Sequence, residues 1–163
     1  MSKTKRLVYL SLLTAVAMIL SFVESRIPPL ITLPGIKVGL ANIAIIFCLY
    51  RLGAKEAVCV SLIRVLLVSL LFGTPASFLY SLSGAVLALT VMLLCKYFAF
   101  FSAVGISVLG GVCHNLGQIL IACVVTKTDL FSPLFPVLLL TGTLSGIVIG
   151  LLGAFLVKRL TPA

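Results

Sequence analysis

The sequence predicts an all-α, polytopic membrane protein built as one bundle of six transmembrane helices. Three observations predict it. Hydrophobic residues make up 62% of the 163-residue chain and charged residues only 9%, too little polar surface to cover a water-soluble globule. The mean hydropathy is +1.36. Apolar runs of roughly 17–25 residues recur, the length a helix rising 1.5 Å per residue needs to cross a hydrocarbon core about 30 Å thick. These runs occupy nearly the whole chain, which predicts a single integral membrane domain over residues 1–163 and no soluble domain.

The first run, residues 7–23, follows Lys3, Lys5 and Arg6 and so has the flank of a signal peptide. It ends in Glu24-Ser25-Arg26-Ile27-Pro28-Pro29 rather than at a small-residue cleavage site, and further spans follow, which predicts a retained helix. Ser11 and Ala15, with Thr14 and Ala17 nearby, give it a small-residue face for a neighbour in the same chain or for another subunit. Residues 24–37, ESRIPPLITLPGIK, contain Pro28, Pro29, Pro34 and a glycine, cannot form regular helix, and are largely apolar. Such a loop, bounded by Glu24, Arg26 and Lys37, either folds over the bundle as a gating lid or rests in the headgroup region.

The second run, residues 38–50, is short for a full crossing and is expected to start in the preceding loop or to be shielded by its neighbours. The third, 57–72, is interrupted by Arg64. The fourth, 76–95, carries a row of small residues at Ser77, Ser81 and Ala85, and the fifth, 102–125, a shorter one at Ser107 and Gly111. The sixth, 136–157, has Gly142, Gly146 and Gly150 at i, i+4 and i+8 with Gly153 beside them. Lipid gives helices no hydrophobic reason to associate, so such ridges mark close backbone contacts, within the chain or with a partner helix.

The net charge of +9 would point to nucleic acid in a soluble protein, but here the basic residues lie mostly between the apolar runs and act as topology signals. With the N-terminus in the cytoplasm, one side collects Lys3, Lys5, Arg6, Arg51, Lys55, Lys96, Lys158 and Arg159, and the other Arg26, Lys37 and Lys127. Eight against three predicts both termini inside. The five cysteines lack a CxxC pair and read as small packing residues.

The residues that do not belong in lipid carry the functional reading. The stretch GGVCHNLGQ, residues 110–118, places His114 and Asn115 near the middle of the fifth span, with Gln118 on the same face as His114 at i+4. Arg64 falls near mid-depth in the third, where facing lipid costs about 2.5–3.5 kcal/mol or more, so it is expected to face the bundle interior. The three acidic residues, Glu24, Glu56 and Asp129, all fall in predicted loops, leaving Arg64 without an ion-pair partner at its depth. Its charge then requires helix carbonyls, amides, water or an anionic ligand. Arg64, His114, Asn115 and Gln118 are expected to converge on an internal ligand pocket, with simple interhelical hydrogen bonding as the plainer reading. Asn42 is either a helix-start hydrogen bond or a pocket contact.

Other chemistry is missing. There is no GxxxxGK[ST] phosphate loop, so any energy for uptake comes from another subunit. One histidine and scattered cysteines do not compose a metal site, and three carboxylates do not supply paired acid–base catalysis or Mg²⁺-diphosphate chemistry. The chain is therefore not expected to be an enzyme, and no built-in cofactor is expected.

The basic N-terminus, the small residues of the first span, the proline-bearing loop, LPGIKVGLANI (33–43) and GGVCHNLGQILIA (110–122) together resemble the bacterial membrane family called heptaprenyl diphosphate synthase component I, or Gx transporter. That family is similar in turn to the substrate-binding S components of energy-coupling factor (ECF) importers, which are six-helix bundles. The resemblance implies a multi-pass protein of the bacterial cytoplasmic membrane, with the loop as lid and Ser11 and Ala15 as the surface meeting a transmembrane coupling subunit that carries ATPases. The alanine pair usual there appears here as Ser11 and Ala15. Prenyl diphosphate synthases hold Mg²⁺ on aspartate-rich motifs, and the one aspartate here is Asp129.

The leading expectation is thus a non-catalytic substrate-binding subunit for a small vitamin-, flavin- or isoprenoid-like molecule. The family is also associated with flavin- and demethylmenaquinone-linked electron transfer. The rival is therefore a membrane subunit of an extracellular electron-transfer or quinone-synthesis assembly, with His114 on a bound quinone or flavin and a flavoprotein or dehydrogenase as partner.

Overall fold

A computed structural model describes residues 2–26 and 39–160. Within them the chain forms six α-helices and no strand: α1 Lys3–Arg26, α2 Asn42–Arg51, α3 Ala54–Phe72, α4 Pro75–Tyr97, α5 Ala103–Thr126 and α6 Phe131–Arg159. Four of these, α1, α4, α5 and the Pro133–Arg159 part of α6, are long and apolar enough to cross a membrane. The protein is a multi-pass helical membrane bundle. The other two helices differ for distinct reasons. With 19 residues α3 reaches roughly 28 Å, but it carries Lys55, Glu56 and Arg64. The 10 residues of α2 rise only roughly 15 Å, about half the hydrocarbon core.

Two acidic residues are not where the sequence places them. The helix α1 runs past residue 23 to Arg26, so Glu24 lies in its last turn, 9% exposed, rather than in a loop. Proline at positions 28 and 29 had suggested an earlier stop, but proline constrains mainly the residue before it and leaves the preceding turn free to stay helical. Glu56 lies in the first turn of α3, 5% exposed, and pairs with Arg6 of α1.

The packing centres on α5, which lies between α4 and α6. Its contacts are made by glycines. A Cβ on Gly142 would stand 2.9 Å from the Cα of Val112, and one on Gly150 would stand 2.8 Å from the Cα of Val104, so the α6 ridge is filled by α5 backbone. On the other side, a Cβ on Gly117 would meet the Ser83 carbonyl oxygen at 2.6 Å, and the Ser83 hydroxyl donates to the Gly117 carbonyl at 2.9 Å. The short helix α2 is the most enclosed element, with Ile45, Ile46, Cys48 and Leu49 forming the apolar core together with Val60, Leu89 and Ile106. Lys96 closes its C-terminal end by donating to the Leu49 carbonyl, its ammonium 4.8 Å from the Tyr50 ring centroid.

By contrast α1 is peripheral. It packs on α3 and α2, and its window is the least buried of the four long spans. One face, Leu13, Thr14, Ala17, Ser21 and Glu24, turns inward, while Ser11 and Ala15 lie on the exposed side with Leu12 and Ile19.

Candidate functional site

The inward face of α1 ends in Ser21 and Glu24, and these meet Arg64 from α3 across a cavity of about 30 Å³. Asn42 and Gly39 close it from the start of α2, Ser81 enters from α4, and His114 from α5. Val65, Val68 and Ser69 complete its α3 wall. Five helices therefore contribute to one small polar space inside an otherwise apolar bundle. With about 10–15 Å³ needed to hold one water, it has room for about two.

Glycine decides how His114 enters. A Cβ on Gly84 of α4 would stand 2.8 Å from the His114 carbonyl oxygen and 2.9 Å from both Cε1 and Nδ1 of its ring, so the imidazole lies in the space a side chain would occupy. From there it borders a second, smaller cavity of about 10 Å³, shared with Gly39 and Asn42 and walled by Asn115, Ser107, Gly111 and residues of α6. That space is at the lower limit for a single water.

Among the described residues, the larger cavity is lined by groups of both charges. The Glu24 carboxylate is close enough to the Arg64 guanidinium to interact with it electrostatically, and it also accepts a hydrogen bond from the Gly39 backbone N–H, just ahead of α2. The sequence left Arg64 with no carboxylate near its depth; Glu24, in the last turn of α1, lines the same cavity, without a direct ion pair between the two. Two polar atoms nonetheless stay shut off from solvent without a protein partner, the Arg64 Nε and the Ser21 hydroxyl. Both belong to residues lining the same cavity.

The site residues expected from sequence separate into groups. Arg64, His114 and Asn42 share the larger cavity, and His114, Asn42 and Asn115 the smaller one. Asn115 is 3% exposed and its amide donates to the Leu138 carbonyl at 3.0 Å and to Thr141 Oγ1 at 3.4 Å, a tie between α5 and α6. Gln118 is 5% exposed, borders neither cavity, and leaves its Oε1 without a partner. Of the gating-loop residues, Pro28, Pro29, Pro34 and Lys37 lie outside the described residues. Arg26 is exposed and its guanidinium lies 4.9 Å from the Phe22 ring centroid rather than in the cavity.

Four polar residues of the larger cavity were missed in this role by sequence reasoning: Ser21, Glu24, Ser69 and Ser81. A signal for the first two existed, because Thr14, Ala17, Ser21 and Glu24 are spaced 3, 4 and 3 apart, one polar and small stripe down a single helix face.

A search of curated proteins found no match to the chain. The model of the family described as heptaprenyl diphosphate synthase component I matches residues 13–156, which include every described residue that lines the two cavities, and the chain therefore belongs to that family.

Proposed function

We propose that the chain is the substrate-binding membrane subunit of an ECF-type importer in the bacterial cytoplasmic membrane, with both termini inside. Its cargo in this reading is a small vitamin-, flavin- or isoprenoid-like molecule, and the chain carries neither ATPase nor catalytic activity of its own. One observation supports this reading above the rest. The Arg64 Nε and the Ser21 hydroxyl, buried and without protein partners, belong to residues that line a cavity built by five helices. Intramembrane ionisable groups of this kind are costly to maintain and mark ligand or ion paths.

Sites for vitamin-sized molecules span about 300–1,000 Å³, so a guest of that size enters only if the bundle opens. The element suited to move is α1, the peripheral wall that carries Ser21 and Glu24. Ser11 and Ala15, on its outward side, would then meet the coupling subunit.

The rival reading, a subunit of a flavin- or quinone-linked electron-transfer assembly, keeps His114 as a hydrogen-bonding group. It loses Gly142, Gly146 and Gly150 as a partner surface, because α5 already fills that ridge. Native mass spectrometry of the protein extracted in mild detergent tests the proposal. Co-extraction of an ATPase-bearing module, with ligand-dependent melting across vitamin, flavin and prenyl panels, is the expected result. Capture of a flavoprotein or dehydrogenase with no response to any panel would overturn it.

A further inference from the structure

We infer that the end of the bundle where α1 begins and α6 stops is a lipid-recognition surface, an aromatic turn among exposed cations that binds the phosphates of anionic phospholipids in the leaflet it faces. The inference goes beyond the importer reading and uses neither its cargo nor its assignment of the inside face.

Four contacts gather that end. Arg6 of α1 pairs with Glu56 in the first turn of α3. Lys96, in the last turn of α4, donates to the Leu49 carbonyl near the end of α2. The start of α5 lies against α6 at Val104 and Gly150, and Gly153 of α6 lies against Ile46 of α2.

Eight basic side chains collect there against one acid, Glu56. Two of the eight are engaged, Arg6 by Glu56 and Lys96 by the Leu49 carbonyl. The other six, Lys3, Lys5, Arg51, Lys55, Lys158 and Arg159, are exposed, and among the described residues no carboxylate pairs with them.

The aromatic part is the turn between α4 and α5. Tyr97, Phe98, Phe100 and Phe101 are 83%, 56%, 75% and 50% exposed, and Ala99 among them takes a left-handed conformation at φ 54°. Phe98 stacks on Phe100 with centroids 5.7 Å apart, and Tyr97 meets Phe98 edge-on at 5.2 Å. The rings thus cluster on one another at the surface.

The depth of this turn is constrained from both sides. Irregular backbone open to lipid is not tolerated in the hydrocarbon core, so residues 98–102 lie in the headgroup region. Exposed rings are poorly placed in bulk water and well placed at that boundary, where aromatic side chains anchor membrane proteins. The contact of Lys96 with Leu49 puts Arg51 at the same corner as Tyr97, at the level of the lipid phosphates. Each Lys or Arg near an anionic membrane surface contributes about 1 kcal/mol of attraction. Six cations without an acid paired to them therefore favour an anionic headgroup over a zwitterionic one.

The test compares melting of the purified full-length chain in mild-detergent micelles carrying dioleoylphosphatidylglycerol or, at equal mole fraction, dioleoylphosphatidylcholine. The anionic lipid gives a melting temperature higher by about 2–4 °C. The difference shrinks in about 1 M sodium chloride, where the Debye length is about 3 Å. Arg51→Gln, Lys55→Gln and Lys158→Gln together remove at least half of the difference. Arg26→Gln, Lys37→Gln and Lys127→Gln, the three cations that the charge count assigns to the other side of the membrane, leave it unchanged. Equal loss from both triple variants, no difference between the lipids in wild type, or an equal rise from inorganic phosphate overturns the inference.

Should a triple variant fail to fold, native mass spectrometry of wild type from an equal mixture of the two lipids gives the same answer, with excess retained phosphatidylglycerol expected and parity overturning it. The depth of the turn is read separately. The chain has no tryptophan, so Phe100→Trp supplies a single fluorophore at an exposed position. Lipids brominated near the headgroup quench it more than lipids brominated near the chain ends, and the reverse order, or no quenching by either, overturns the inference. None of these measurements involves cargo or a coupling subunit, so their outcome is separable from failure of the importer reading.

Discussion

Replacing Gly84 by alanine tests whether the α4–α5 contact really sets the position of His114. The added methyl would sit 2.8 Å from the His114 carbonyl oxygen and 2.9 Å from two ring atoms, where ordinary contact begins at 3.4 Å. The ring can rotate but the carbonyl cannot, so the two helices must part by roughly 0.6 Å along a line fixed again at Gly117. Overpacking of this kind costs about 1–3 kcal/mol. In a chain of this size that lowers the melting temperature by about 2–12 °C. The protein has no tryptophan, so a thiol-reactive dye is the suitable reporter, with buried Cys48 reading unfolding and exposed Cys59 setting the baseline. Val86→Ala, at a position 51% exposed on the same helix, controls for a change that touches no neighbour. A Gly84→Ala protein melting within about 1 °C of that control would refute the close contact and, with it, the placement of the imidazole.

Three further outcomes are expected. Asn115→Ala removes the amide that holds Leu138 and Thr141 and should destabilise by about 0.6–1.7 kcal/mol in the same melting assay, the range of interhelical hydrogen bonds in membranes. Arg6→Ala leaves the Glu56 carboxylate, 5% exposed, without its cation and should cost about 1–2 kcal/mol, discounted because Arg6 itself is 55% exposed, and adding Glu56→Gln should restore most of the loss. In a background with the native cysteines replaced by alanine, Thr128→Cys should react with an impermeant maleimide in intact cells. Ser2→Cys and Leu160→Cys should react only after permeabilisation, and the opposite pattern would invert the bundle.

Much of this architecture was legible because membrane helices obey few rules. Length and apolarity mark α4, α5 and α6, and the glycines at 142, 146 and 150 foretell a close crossing, though not that α5 would be the helix to use it. His114 and Arg64 stand out in the sequence because lipid tolerates neither. The acidic side of the site was hidden by a boundary. Two prolines drew the end of the first helix ahead of Glu24, and a carboxylate assigned to a loop cannot be paired with anything in the membrane. Gln118 shows the complementary error, since sharing a face with His114 at i+4 puts two side chains on one side of a helix but does not decide which cavity, if either, lies there. Sequence spacing fixes direction around an axis, whereas the neighbour met in that direction depends on how the other helices cross.

The uninterrupted build of α1 has a mechanical consequence. Its 24 residues include neither glycine nor proline, so it forms a rod of roughly 36 Å with no joint at which to bend. Ser11 and Ala15 on its outer side and the carboxylate of Glu24 near its far tip are thus parts of one lever. Any force that tilts the rod from its outer side moves the Glu24 wall of the cavity in the same stroke, so the two ends need no relay between them.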